Sequence, residues 1–233
     1  MTSYQTYKVI FEMKSFLDVL PSLDQTPRYL GKLIDNLHDY VNWNTVEYCI
    51  NNPQFYPIQM IKNNEKLCIP KKRRHWHNTE IHDKKFVIDN INQGSSFVIL
   101  NYSYNNMYTL ELMKLISKKF DVFPDIHVYG GLSGSTSFNK HFDFPPNLII
   151  QAEGETLWKI WKNPDADPVI DLVLKSGEVL YIPANCHHVA APKGKRISMS
   201  IPCWPRHPDD TTEIDMNFYN IKKENENESN IME

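Results

Sequence analysis

The chain reads as a mainly β, α+β protein: an antiparallel barrel or jelly roll of short strands, with helical segments outside it. Three observations predict this class. Short β-rich runs separated by turn signals fill the chain from Ile126 onward, two earlier stretches repeat apolar residues at helical spacing, and 233 residues suffice for one domain with a real core.

In chain order, "RYLGKLIDNLHDYV" (28–41) sets Leu30, Leu33, Ile34, Leu37 and Val41 at helical spacing and predicts a packing helix. A second is predicted over 108–120, from Leu110, Leu112, Met113, Leu115 and Ile116. Between them, "FVIDNINQGSSFVIL" reads as two β-rich runs around an Asn/Gln/Gly/Ser turn. Strands are then expected near 126–129, 147–152, 156–161, 169–173, 179–182 and 196–201, divided by Gly130-Gly131, Gly134, Gly154, "NPDADP", Gly177 and "APKGK". This gives an extension packed on the core (1–85), a β core (86–205) and a polar, low-complexity tail (206–233) expected to be weakly ordered.

Composition narrows the function classes. With 25 basic against 28 acidic residues, a wholesale nucleic-acid or anionic-membrane surface is disfavoured. No apolar run approaches a membrane span and the N-terminus does not read as a signal peptide, so a soluble, cytoplasmic protein without a membrane partner is expected. Cys49, Cys68, Cys186 and Cys203 form no C-x-x-C pair and read as small buried hydrophobes. The one local basic cluster is "KKRRHWH" (71–77), which could grip an acidic peptide or a phosphate backbone but reads first as a solvated loop. His75 and His77 lack a third partner, so a second metal is not expected there.

The chemistry gathers in "NKHFDFPPNLIIQ" (139–151). In a strand His141 and Asp143 would share one face, making half of a metal site, although an H-x-D triplet alone is common by chance. A third ligand is offered by "GEVLYIPANCHHV", where His187 and His188 would point to opposite faces and only one can join the pair. Two imidazoles and one carboxylate leave coordination positions open, which suits non-haem Fe(II) oxygen chemistry. The bland alternative is a histidine that merely ends a strand.

"GSTSFNKHFDFPPNLIIQAEGETLWKIW" followed by "SGEVLYIPANCHHV" resembles the JmjC-related, cupin-type branch of the Fe(II)- and 2-oxoglutarate-dependent oxygenases. The matching positions are His141, Asp143, Asn147, Gln151, Gly154, Trp158, the run Gly177–Pro183 and His188, over roughly Ile126 to Trp204. The resemblance implies a double-stranded β-helix with Fe(II) held by His141, Asp143 and His188, and with 2-oxoglutarate and O2 as cosubstrates. It also implies hydroxylation of a C–H bond, on a polypeptide side chain before RNA or a small molecule, and leaves the oligomeric state open, a homodimer included. His187 is then expected to pack or to touch substrate, with Gln151, Trp158 and Trp204 on the pocket side and Cys186 lining it. Asn147 and Tyr129 are grouped with the cosubstrate contacts.

One position departs from the family pattern: Thr156 stands where a Lys or Arg usually anchors the distal carboxylate of 2-oxoglutarate. A hydroxyl cannot neutralise a buried carboxylate. Arg196 and Ser198, an R-x-S pair on the last strand, are the expected replacement, ahead of Lys140 and Lys159, which alternate away from the interior. The departure keeps two other readings open: a binding jelly roll without turnover, and a metal-dependent cupin that does not use 2-oxoglutarate.

Overall fold

The computed structural model describes residues 17–73, 80–135 and 138–206. In chain order the elements are β1 (Arg28–Lys32), α1 (Trp43–Asn51), β2 (Ile58–Lys62), β3 (Glu65–Leu67), β4 (Lys71–Arg73), β5 (Glu80–His82), α2 (Lys84–Asn92), β6 (Ser96–Ile99) and α3 (Met107–Phe120). There follow β7 (Val122–Pro124), β8 (His127–Gly131), β9 (Asn147–Glu153), β10 (Glu155–Trp161), β11 (Ile170–Lys175), β12 (Glu178–Ile182), β13 (His187–Pro192) and β14 (Arg196–Pro205).

The large antiparallel sheet runs β1-β12-β9-β14-β8-β6-β2-β3, and a smaller one runs β11-β10-β13. His141 and His188 add a bridge to the small sheet by exchanging both backbone hydrogen bonds, at 3.1 and 2.7 Å. The segment at His141 thus pairs beside β13, and together with β8 and β9 to β14 it closes a double-stranded β-helix.

Alternation along two strands explains the two-sided burial. In β9, Leu148, Ile150 and Ala152 pack with the N-terminal helices, while Ile149 faces the small sheet with Trp158, Ile160, Leu174, Leu180, Ile182 and Cys186. In β14, Ile197, Met199, Ile201 and Cys203 belong to the helix-side core. Arg196, Ser198 and Ser200 therefore occupy the alternate, barrel-side positions of a strand that is buried on both faces.

Helix α3 lies where its spacing predicts, with Leu112 and Ile116 buried and an Asn106/Thr109 capping box at its start. Residues 28–41 do not form a helix: Arg28–Lys32 is an edge strand on β12 and Leu37–Asp39 a single 3-10 turn. Gly31 at φ +77° breaks the helical path and marks a bulge in the pairing. The first half of "FVIDNINQGSSFVIL" is helix α2 rather than a strand, because Asp83 caps its first turn and Val87 and Ile91 bury one face at i, i+4. Helix α1 and strand β13 were not expected from the sequence. The start of the basic cluster, Lys71–Arg73, is an exposed strand paired with β5; His75 and His77 lie outside the described residues, as does the chain beyond Arg206. Cys49, Cys186 and Cys203 are buried, but Cys68 is exposed. Among the described residues no helix is long and apolar enough to cross a membrane.

Candidate active site

His141, Asp143 and His188 come together at the open end of the β-helix, their ligand atoms all within 4.8 Å of one another. His188 Nε2 lies 3.6 Å from Asp143 Oδ2, and the two imidazole centroids are 4.4 Å apart. The backbone builds this convergence, since the bridge clamps His141 to His188 while Asn185 donates its N–H to the Asp143 carbonyl at 2.8 Å. Asn185 sits in the left-handed region, φ 60°, and turns the chain tightly from β12 into β13.

Each imidazole is oriented by its far nitrogen. His141 Nδ1 is 2.7 Å from the Asn139 carbonyl and His188 Nδ1 is 3.0 Å from that of Cys186. A carbonyl can only accept, so these Nδ1 atoms carry the protons and both Nε2 lone pairs are free for a cation. Burial holds the His188 pKa below its ordinary value, which keeps that ring neutral, as a metal ligand must be.

Asp143 is held from below. Asn147 donates from Nδ2 to Asp143 Oδ2 at 3.0 Å, and Ser200 donates to Asn147 Oδ1 at 3.0 Å. The Asn147 amide is therefore engaged with Asp143 and Ser200. Gln151 is similarly tied, accepting from Ser198 Oγ at 2.8 Å and donating to the Glu153 carbonyl at 2.8 Å.

A small cavity of about 40 Å³ lies against the cluster. Its walls include His141, Asp143 and His188 at one end with Tyr129, Arg196 and Ser198 further along. Arg196 is 2 % exposed; its Nη1 lies 3.3 Å from Ser198 Oγ and its Nε has no hydrogen-bond partner. Burial pulls its pKa down to about 10, with Tyr129 as the only counter-influence. Burial likewise pushes the Tyr129 hydroxyl up to about 12, Asp143 adding to the rise and Arg196 opposing it. Among the described residues no carboxylate pairs with it, and a guanidinium this deep is costly unless an anion joins it.

The other expected residues divide. Trp158 lines the cavity, its ring 6.0 Å from that of His188. Thr156 is fully buried with an unpartnered hydroxyl, but is not in the cavity wall. His187 does not line the cavity; its ring packs against that of Phe142 with 5.1 Å between centroids. Trp204 is 47 % exposed at the far end of β14, paired to β7 and away from the cavity. Lys159 pairs with Asp171 at 3.0 Å and Lys140 lies over the Trp161 ring, so neither faces the cavity. Ser200 and Phe138 were missed; extending R-x-S by one more strand period reaches Ser200.

Fold and cluster together define a class: a cupin-type jelly roll with a two-histidine, one-carboxylate cluster at its mouth. Residues 102–210 match the family model described as "JmjC domain". The chain is 23% identical over 197 residues to the Drosophila erecta bifunctional lysine-specific demethylase and histidyl-hydroxylase NO66, covering 76% of this chain and 28% of that one. It is 26% identical over 121 residues to Danio rerio ribosomal oxygenase 1, covering 44% and 22% of the two chains. Among solved structures it is similar to the Escherichia coli ribosomal oxygenase YcfD, with a TM-score of 0.60, 18% identity and coverage of 91% of this chain and 56% of that one. A second YcfD structure, in complex with cobalt and 2-oxoglutarate, superposes with a TM-score of 0.58 at 16% identity. The chain thus spans about a quarter of the NO66 relative and just over half of YcfD.

Proposed function

We propose that this chain is a 2-oxoglutarate-dependent oxygenase that hydroxylates a C–H bond of a protein side chain. The observation carrying the proposal is one cavity that joins a cation-ready cluster, His141, Asp143 and His188, to a buried guanidinium lacking an acidic partner. The donor set fits Fe(II), with two imidazole nitrogens and one carboxylate. The orphaned Arg196 Nε would suit a carboxylate of 2-oxoglutarate.

In this reading His141, Asp143 and His188 hold the iron, and Arg196 with Ser198 takes the distal carboxylate of 2-oxoglutarate. The Tyr129 hydroxyl, kept protonated by its raised pKa, is available as a further donor. Arg196 does the neutralising that Thr156 cannot. When bound, iron and 2-oxoglutarate supply oxidation by O2, which converts 2-oxoglutarate to succinate and CO2 and delivers one oxygen atom to the substrate. The chain's own work is to orient both imidazoles through their Nδ1–H bonds, to hold the Asp143 carboxylate through Asn147, and to keep water out with Ile149 and Trp158.

The names of the relatives, lysine-specific demethylase and histidyl-hydroxylase, support a polypeptide substrate, and among the Asn, His, Arg and Lys side chains considered they favour His or Lys. Free thiols at all four cysteines fit a reducing, cytoplasmic setting. The test loads the protein with Mn(II) in place of oxidisable iron and titrates in 2-oxoglutarate, then assays succinate with Fe(II) and O2. Binding and succinate formation are expected. A protein that takes up metal but not 2-oxoglutarate would instead be a cupin using the metal alone or a binding jelly roll.

A further inference from the structure

Strand β10 alternates, with Thr156, Trp158 and Ile160 buried and Leu157, Lys159 and Trp161 half-buried. Trp158 is 7 % exposed and pairs with Ala190, two residues past His188. It lines the cavity, its ring centroid 6.0 Å from that of His188. Its indole Nε1 is buried and has no hydrogen-bond partner among the described residues. A buried indole usually finds an acceptor, because an unpaired donor gives up its bonds to water for nothing. Phe or Leu would supply apolar bulk to the same wall without that cost, so the N–H is the part of Trp158 that packing does not explain.

Most polar hydrogens in the cavity wall are already committed. Ser198 gives its one hydroxyl proton to Gln151 Oε1 at 2.8 Å and accepts from Arg196 Nη1 at 3.3 Å, so it acts on a ligand through Arg196. Ser200 gives its proton to Asn147 Oδ1 at 3.0 Å. His141 and His188 spend their Nδ1 protons on the Asn139 and Cys186 carbonyls, which leaves their Nε2 lone pairs for the cation. Two wall side chains keep a buried N–H that meets no acceptor among the described residues: Arg196 at Nε and Trp158 at Nε1. Ionised 2-oxoglutarate is the complement of such a wall, since it carries acceptor oxygens only and no hydrogen to donate.

Resting on the oxygenase reading, we propose that Trp158 donates its indole N–H to an oxygen of bound 2-oxoglutarate, as a neutral donor working beside the charged Arg196. The bond is charge-assisted on the acceptor side, which makes it stronger than a bond between two neutral groups. Trp158 then secures the cosubstrate and not the metal, since its N–H makes no hydrogen bond to His141, Asp143 or His188.

The test compares the parent chain with Trp158→Phe and with Trp158→β-(3-benzothienyl)alanine, a side chain of nearly the same shape with sulfur in place of the N–H. Mn(II)-loaded protein is titrated with 2-oxoglutarate by calorimetry, and Co(II) affinity is read separately from the visible absorption of the metal site. Both changes should weaken 2-oxoglutarate binding by about tenfold or more, the loss expected for a hydrogen bond to a charged acceptor, and leave Co(II) affinity as in the parent. Parent-like 2-oxoglutarate affinity in the benzothienyl chain overturns the proposal even if Trp158→Phe is weakened, because a loss confined to Phe reports ring volume. A matching fall in Co(II) affinity overturns it too, by placing the effect at the metal ligands. The oxygenase reading fails on a different result: a parent chain that takes up metal and binds no 2-oxoglutarate refutes both claims, whereas parent binding that neither change weakens refutes only the Trp158 donor.

Discussion

Asn147 donates its side-chain amide to Asp143 Oδ2 at 3.0 Å, and that same oxygen lies 3.6 Å from His188 Nε2. Asn147 is 3 % exposed and is itself positioned by Ser200, so a buried amide fixes which way the carboxylate faces. Groups that hold a metal ligand in place are commonly worth about 10- to 100-fold in metal affinity. Asn147→Ala is expected to weaken Co(II) binding within that range, read from the visible absorption of the cobalt site, and Ser200→Ala to weaken it less. Unchanged cobalt affinity in both variants would show that Asp143 needs no such support.

Arg196 is expected to govern 2-oxoglutarate affinity without touching metal content. Losing a charged partner from a buried carboxylate costs on the order of 2–5 kcal/mol, so Arg196→Ala should weaken binding by about thirtyfold or more in calorimetric titration. Thr156→Lys in that background should recover part of the loss, since it restores a cation at the buried position on β10. Parent-like affinity in Arg196→Ala would place the anchor elsewhere.

Gly154 joins β9 to β10 at φ +70°, and a Cβ there would lie 2.2 Å from the Lys195 carbonyl oxygen and 3.1 Å from Arg196 Cα. Both neighbours are backbone and cannot swing aside. Gly154→Ala should therefore destabilise the fold by about 1–3 kcal/mol from the strained φ alone, with the clash added. Because the displaced atoms belong to the Arg196 strand, the variant should also bind 2-oxoglutarate more weakly. A denaturation midpoint equal to that of the parent protein would contradict this.

Burial lowers the His188 pKa from 6.5, so in the metal-free protein the folded chain holds this proton less tightly than the unfolded chain does. Between the depressed folded value and 6.5 the unfolded state binds more protons, and stability must fall as pH drops through that window. Above it the group contributes no slope. Comparing acid denaturation of the metal-free protein with that of His188→Gln isolates the contribution, and the variant is expected to show the shallower dependence. Parallel curves would mean that His188 does not keep its neutral form in the fold.

Much of the β core was legible because period-2 alternation is local. The six strands expected between residues 126 and 201 are present, and His141 and Asp143, two residues apart, both reach the cluster. Strand β13 escaped because "HHVAAP" is weak in β-branched residues and takes its partners from β10, about thirty positions earlier. The stretch 28–41 misled for the opposite reason. Its apolar spacing suits a helix, but the backbone is drawn onto the free edge of β12 and Gly31 permits the bend.

By itself the sequence determined the residue types that could hold a cation and their order, and it set His141 and Asp143 two residues apart. Folding decided what depends on distant segments meeting. His188 and not His187 shares the cluster because the His141 backbone pairs with His188, 47 positions later in the chain. Arg196 is buried beside Tyr129 and Ser198, and among the described residues no carboxylate is brought to it. Asn147 faces Asp143 because Ser200, on a strand that starts after the cluster is complete, holds its amide in that orientation. Spacing sets the face a side chain occupies, whereas partner, depth and charge balance arise from long-range pairing that no local pattern encodes.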